Sequence, residues 1–532
     1  MFTPNHPSSL KKYLISFLLS TFSIVAFSQH PSLNVPLNRI WNLEFEKKYA
    51  LLNDKTHNSI YPMLQGQLAD LKDSLASEEK SWWYRKVYKE HLVDIRKQDW
   101  MIQLDPLGEI EVGRTENDAA NRYTGAIQLQ GGIGSKFAFY TSVFSTWAFY
   151  PNYLTAFGRT YSILPGQGDA VPYTEKGFNH FNSLAYISFS PNSHFNFQFG
   201  HGRNFIGNGY RSLLLSDGYY PHPYFRILTN IGPIQYVYLL SQYTDLLAPK
   251  LSKELGFRQK YSAISYLDWR IGKRLSLGLF QAVIWQADDS TGRRGIDPNY
   301  LNPIVFLRPI ERNLGSEGNM ILGLNSKFKI VDGHLIYFQF VLDEFDFRQL
   351  QAQNGYWANK YGYQLGYKGF DLFHIPNLSI NTEYNVVRPF TYSHWTSLTN
   401  YSHFNEPLAH PFGANFREWQ NFINYRFKRY YCQIQYMNAL VGFDENGLSW
   451  GQNIFASYFV RVRETGNEIG QGLTTRIHFT QVKLGYILNT RTNMRLELTG
   501  SNRNAINNNE TLVENWFTVG ISTNVRNLYF DR

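Results

Sequence analysis

Residues 200–217 read Gly-His-Gly-Arg-Asn-Phe-Ile-Gly-Asn-Gly-Tyr-Arg-Ser-Leu-Leu-Leu-Ser-Asp. The glycines invite comparison with phosphate-cradling loops. No Gly-Lys-Ser/Thr follows at the required spacing, however, and no strand–helix–strand unit surrounds them. Gly200, Gly202, Gly207 and Gly209 instead let the chain turn sharply at a strand end or fold into a lumen. Arg203 and Arg211 each carry a planar fork of donors that fits a carboxylate or a sugar-borne anion. Asn204 and Asp217 are their polar neighbours. The structural alternative, which the composition favours, pairs the two arginines with wall acids such as Glu383 or Asp343.

Residues 297–312 contain three prolines, which make a rigid path outside any sheet. Asp297, Asn299, Asn302 and Arg308 offer planar polar groups beside Tyr300 and Phe306. That combination grips sugars, because rings stack on aromatics while hydroxyls bond to amides; a plain structured loop has the same composition. His394, His403 and His410 lie 9 and 7 positions apart, which fits no compact metal-ligand pattern. They read as surface-loop histidines, with His410 retained as a glycan contact. Asp343, Glu344 and Asp346 form an acidic cluster. Paired carboxylates can hydrolyse glycosides, hold Ca²⁺ or face arginines. No nucleophile elbow, zinc-protease helix or kinase set accompanies them, so no catalytic residue, cofactor or metal is assigned.

The elements that must position these segments follow from periodicity. Phe195, Phe197 and Phe199 alternate with Asn196 and Gln198; Leu275, Leu277 and Leu279 alternate with Ser276 and Gly278. Met494, Leu496 and Leu498 alternate with Arg495, Glu497 and Thr499. A period of 2 marks strands. Aromatics make up 17% of the chain, with 37 Tyr and 40 Phe, yet mean hydropathy is −0.35. Aromatic-rich, polar on average and alternating over roughly 430 residues is what lipid-facing and lumen-facing strand residues produce together. A secreted all-β domain also alternates; export and aromatic load favour the barrel. At about 24 residues per strand and connection, the expected fold is an all-β outer-membrane barrel of about 18 antiparallel strands. Long loops are expected at 151–180, 201–230, 285–320 and 388–416.

The chain opens with Lys11 and Lys12, the apolar stretch Tyr13 to Phe27, and small Ala26 and Ser28. This is an export signal with cleavage after Ser28. Residues 1–28 are therefore a signal peptide, 29–100 an N-terminal helical periplasmic segment and 101–532 the barrel. Leu64, Leu68, Leu71 and Leu75 predict one helix, and Trp83, Val87, His91 and Ile95 predict a second over 82–96. The terminal strand Phe517 to Val525, followed by Leu528, Tyr529 and Phe530, matches what barrel insertion reads, although Asp531 and Arg532 come last. Cys432, the only cysteine, cannot form an internal disulfide. A formal charge of +9, without Lys/Arg-rich runs, points to acidic polysaccharide or lipopolysaccharide rather than nucleic acid.

Residues 202–217 resemble the signature of the RemB-type gliding-motility proteins of the Bacteroidetes, and 297–303 and 407–415 (Pro-Leu-Ala-His-Pro-Phe-Gly-Ala-Asn) are similar too. That group in turn resembles the capsule-assembly Wzi family, over about residue 35 to the end. The resemblance implies a barrel of about 18 strands with a helical periplasmic part, and a lectin-like anchor for surface polysaccharide that supports gliding. The leading expectation is thus a non-enzymatic barrel that binds polysaccharide. The alternatives are a channel for small solutes, or a structural subunit docking gliding or secretion machinery through its N-terminal helices.

Overall fold

The computed structural model describes residues 30–68, 81–250, 252–253, 256–289, 292–293, 295–303, 318–523 and 526–532. Residues 1–28, which the sequence reads as a signal peptide, and Leu71, Leu75, Phe306 and Arg308 lie outside them.

Eighteen antiparallel strands close into one barrel. They are β1 (Trp100–Thr115), β2 (Arg122–Ile133), β3 (Phe137–Phe149), β4 (Gly177–Phe189), β5 (Phe195–Gly202) and β6 (His222–Ile231). Next come β7 (Ile234–Asp245), β8 (Arg258–Ile271), β9 (Leu275–Gln286), β10 (Asn319–Val331), β11 (His334–Leu342) and β12 (Tyr361–Phe370). The last six are β13 (Leu378–Val387), β14 (Phe416–Phe427), β15 (Tyr430–Phe443), β16 (Leu473–Asn489), β17 (Met494–Ile506) and β18 (Thr511–Thr523). Neighbours in sequence pair throughout, and β18 returns to β1 from Trp516–Thr115 to Ile521–Ile110. Closure is obligatory in hydrocarbon, where an open edge would leave its amides unpaired.

The alternation has the sense a bilayer demands. In β17 Arg495 and Glu497 are 1% and 7% exposed, whereas Leu496 and Leu498 are 48% and 36% exposed. The same inversion holds for buried Asn196 and Gln198 against exposed Phe195 and Phe199. Polar residues face the lumen and apolar ones the outside. Cys432 has the outward parity of Tyr430 and Ile434.

Connections at one end are short, as at 232–233, 332–333 and 428–429. Positive φ at Gly232 and Gly333 closes two of these hairpins. This is the periplasmic end. At the other end lie long loops at 150–176, 203–221, 287–318, 343–360, 388–415 and 444–472. Four match expectation; 343–360 and 444–472 had no sequence signal strong enough to mark them.

The N-terminal residues depart from the expected helices. Helix α1 is Arg39–Tyr49, started by the Asn38 side chain accepting from the Trp41 amide. Leu64 sits in a bridge to Asn34, and Gln65–Leu68 form a 3₁₀ turn. Helix α2 covers only Trp82–Tyr88. Residues Val93–Arg96 are a strand paired with Leu104–Met101 of β1. The helical spacing of His91 and Ile95 was overridden because this stretch of β1 lies below its pairing with β18 and needs a partner.

The lumen is filled by the chain itself. Phe205–Ile206 of loop 203–221 pairs with Ile60–Tyr61. Asn34, His57 and Asn58 bond to inward-facing Gln198, Asp268 and Lys327. Leu213, Leu214 and Leu215 are fully buried in an apolar core with Tyr243, Ile264, Tyr392, Tyr401 and Leu408. The C-terminal residues also turn inward: Tyr153 of loop 150–176 donates to the Phe530 carbonyl, and Tyr529 donates to Asp217. The near-terminal aromatics are therefore lumen residues, held by hydroxyl bonds that a lipid-facing position cannot supply.

Candidate functional site

Five of the sequence-selected residues meet in one buried assembly beneath the long loops. The glycines let loop 203–221 dive inward. Arg211 there is buried, with Nη2 3.1 Å from both Glu418 of β14 and the Asp531 carboxylate. His410 Nε2 lies 2.8 Å from the other Glu418 oxygen and stacks on Phe416 at 4.1 Å. The Asp531 carboxylate also accepts from Tyr210, Gln420 and Gln435. Asp217 accepts from the Tyr529 hydroxyl at 2.6 Å and from Asn527 at 2.7 Å. Asn204 accepts from Arg226 at 3.1 Å, and Arg203 donates to the Gly166 carbonyl.

The arginine partners differ from those expected. Glu383 accepts the backbone amides of Tyr210 and Arg211 rather than a guanidinium. Asp343 accepts the Tyr392 amide, and burial raises its carboxyl above the ordinary range against the opposing Lys360. Backbone amides take both acids, those of loop 203–221 for Glu383 and that of Tyr392 in loop 388–415 for Asp343. Glu344 pairs with Lys360, and Asp346 caps the short helix Phe347–Gln351. All three acids of that cluster thus have structural partners.

The histidines are not on the surface. His394, His403 and His410 are buried because loop 388–415 folds into the lumen. Burial holds His394 and His403 down at about 3, and burial also lowers His410 against the pull of Glu418. No metal-ligand cluster occurs among the described residues.

Residues 297–302 form a separate, accessible feature. Asp297 starts the 3₁₀ turn Pro298–Leu301, and Asn299 and Asn302 are exposed. Tyr300 is buried, stacked on Trp285 at 4.5 Å.

The sequence reading missed a platform built by loops 343–360 and 444–472. Backbone bonds Trp357–Glu464, Gly466–Asn354 and Asn467–Gly355 join the two loops. Arg461 lies 4.3 Å over the Trp357 ring, and Lys360 lies 4.4 Å over Tyr458. Phe345, Phe347, Phe459 and Arg463 are exposed around them. Trp357, Trp450 and the neighbouring Arg461 and Arg463 were its sequence trace.

Two cavities lie on the periplasmic side of the plug. One, of about 140 Å³, runs between the wall of β1–β5 and the N-terminal segment, with Trp41, Gln103, Tyr140, Tyr186 and Arg203 among its lining. The other, of about 110 Å³, lies across α1 between Glu46, Lys368, Lys483 and Arg495.

No protein-family model and no curated protein matches this sequence. Among solved structures the chain is similar to Wzi of Escherichia coli, described as an outer-membrane protein involved in group 1 capsule assembly and as a carbohydrate-binding β-barrel. Identity is 13%, the match covers 92% of this chain and 99% of that one, and the TM-score is 0.54. OprD of Pseudomonas aeruginosa overlaps less well, at 13% identity, 83% and 98% coverage and a TM-score of 0.42. OpdK of the same organism, crystallised with vanillate, gives 10%, 79%, 97% and 0.42. The chain thus shares the fold of Wzi. Together with its closure and apolar exterior, this makes it an integral outer-membrane protein.

Proposed function

We propose that this barrel binds or anchors surface polysaccharide, capsular or exopolysaccharide, and does so without catalysis. The observation that carries this reading is the filled lumen: loops 203–221 and 388–415 and residues 526–532 occupy the bore through buried polar bonds. What the protein then offers the outside is its long-loop face. There the exposed Phe345, Phe347, Phe459 and Arg463, with Asp297, Asn299 and Asn302, provide stacking surfaces, amides and cationic charge for an acidic glycan. Buried Arg203, Asn204, Arg211, Asp217 and His410 would act by holding the inserted loops 203–221 and 388–415 in the bore beneath this face. The fold shared with a carbohydrate-binding barrel agrees with the reading. A role in gliding, and docking of gliding or secretion machinery by the N-terminal residues, rest on the sequence resemblance alone. A small-solute channel is the alternative; its path would have to pass the inserted segments 203–221, 388–415 and 526–532.

The test is glycan binding by the detergent-folded protein, with polysaccharide from its own source at low and high salt, alongside a deletion strain. Salt-sensitive binding and loss of surface-retained polysaccharide are expected. No binding at either salt, with retention unchanged in the deletion strain, would sink the reading.

A further inference from the structure

We infer that the 140 Å³ cavity is a second binding site, a vestibule open to the periplasm that takes an anionic saccharide before it reaches the cell surface. This rests on the glycan reading above and adds a site that the long loops do not contain.

Charge is the first argument. The lining holds Arg96, Arg203, Arg491, Arg526, His91 and His201 and no carboxylate. Arg96 pairs with Asp94 and His91 bonds Asp105, and neither carboxylate is among the lining residues. Arg203 sits deepest, beyond the inward end of β5. It is 6% exposed, it donates through Nη2 to the Gly166 carbonyl, and its Nε has no hydrogen-bond partner among the described residues. The carboxylates that act on Arg203, Asp217 and Glu406, are not among the lining residues, so this buried guanidinium is a cation that a bound anion can pair with.

The walls supply the second argument. Tyr140 and Tyr186 line the space as a pair stacked on each other at 5.3 Å and 11°, and Trp41 of α1 adds a third aromatic ring to the lining. Gln103, Gln128 and Gln130 bring amides to the same space. Stacking faces, planar amides and an arginine at the far end match a sugar ring bearing a carboxylate or phosphate.

Position gives the direction of entry. Arg96 precedes β1, and Arg491 lies in the short turn before β17, so both rim residues are at the periplasmic end. Arg203, away from these rim residues, is 6% exposed and bonded to the Gly166 carbonyl of loop 150–176. A ligand therefore enters from inside the cell envelope, drawn by Arg96 and Arg491.

The experiment is calorimetric titration of the detergent-folded protein with trigalacturonate, with maltotriose as the neutral counterpart and glucose 6-phosphate as competitor. Arg203→Gln removes the deep cation, and Leu184→Trp narrows the cavity without touching charge. Folding of each variant is checked by its heat-modifiable mobility in a gel. Trigalacturonate is expected to bind, maltotriose not, and each variant to weaken binding at least tenfold. Competition by glucose 6-phosphate assigns the site to anionic sugars in general, and its absence assigns it to carboxylated ones; both support the vestibule. Failure of trigalacturonate to bind, or equal binding by the parent and both folded variants, overturns it. If the source polysaccharide still binds in that case, the surface-anchor reading stands; if neither binds, both fall.

Discussion

Arg211 shows how a buried charge acts in this barrel. It reaches Glu418 of the wall and Asp531 of the C-terminal residues at once, at 3.1 Å each. Removing one partner of a buried ion pair costs about 3–5 kcal/mol, because the carboxylates left behind are uncompensated. Arg211→Met is therefore expected to lower stability by that amount, read from denaturant midpoints followed by tryptophan fluorescence. Glu406, in loop 388–415, is the residue for a pH test. It accepts the Gly166 and Tyr220 amides at 2.7 and 2.8 Å, yet burial pushes its carboxyl from 4.5 up to about 7. The folded protein thus holds this proton more tightly than the unfolded chain. The resulting stabilisation is full below about pH 4.5 and is lost as pH rises through about 7. Glu406→Gln should gain stability relative to the parent between those limits. A difference in thermal midpoint that stays flat from pH 4.5 to 8 would contradict this.

Among the elements, the C-terminal strap has a separable role. β18 completes the barrel at Thr523, and residues 526–532 then enter the lumen and bond to Arg39, Tyr153, Tyr210 and Arg211. Deleting 526–532 removes no wall strand but takes Asp531 from Arg211, which keeps Glu418, and takes both hydrogen-bond donors, Asn527 and Tyr529, from Asp217. The truncated protein is expected to insert and keep its heat-modifiable mobility, while planar bilayers show conductance steps that the full chain lacks. Silent bilayers from a correctly folded truncation would mean that loops 203–221 and 388–415 seal the bore alone. The strand Val93–Arg96 acts at the opposite end, pairing the stretch of β1 below β18.

At the scale of the whole molecule, an apolar shell in lipid surrounds a protein-like interior of polar bonds with one large apolar cluster and several smaller ones. Leu365 lies midway along β12 and faces outward. Leu365→Arg places a charge near the bilayer midplane, at a cost of about 2–4 kcal/mol. Equilibrium folding into phospholipid vesicles reads that loss, and a cost near zero would deny this face to lipid.

The barrel was legible in the sequence because a strand's two faces alternate locally. Met494 to Thr499 alone carries the contrast that the structure resolves into outward leucines and an inward Arg495–Glu497 pair. The glycine-rich stretch around Arg203 and Arg211 was legible as special for an equally local reason, since glycines license a sharp turn. Its partners were not. Glu418 and Asp531 lie some two hundred and three hundred residues further on, and no periodicity links positions brought together only by closing the ring. Helical spacing predicted the helix Trp82–Tyr88 but misled beyond it for the same reason: β1 needed a partner strand at Val93–Arg96, and that need exists only once β18 has found its place. The sequence by itself determined an alternating, closed wall, because each strand must satisfy lipid and lumen residue by residue. The tertiary structure decided that the lumen is filled, which residues fill it and where cavities remain, because those contacts depend on how eighteen strands and their inserted segments share one interior.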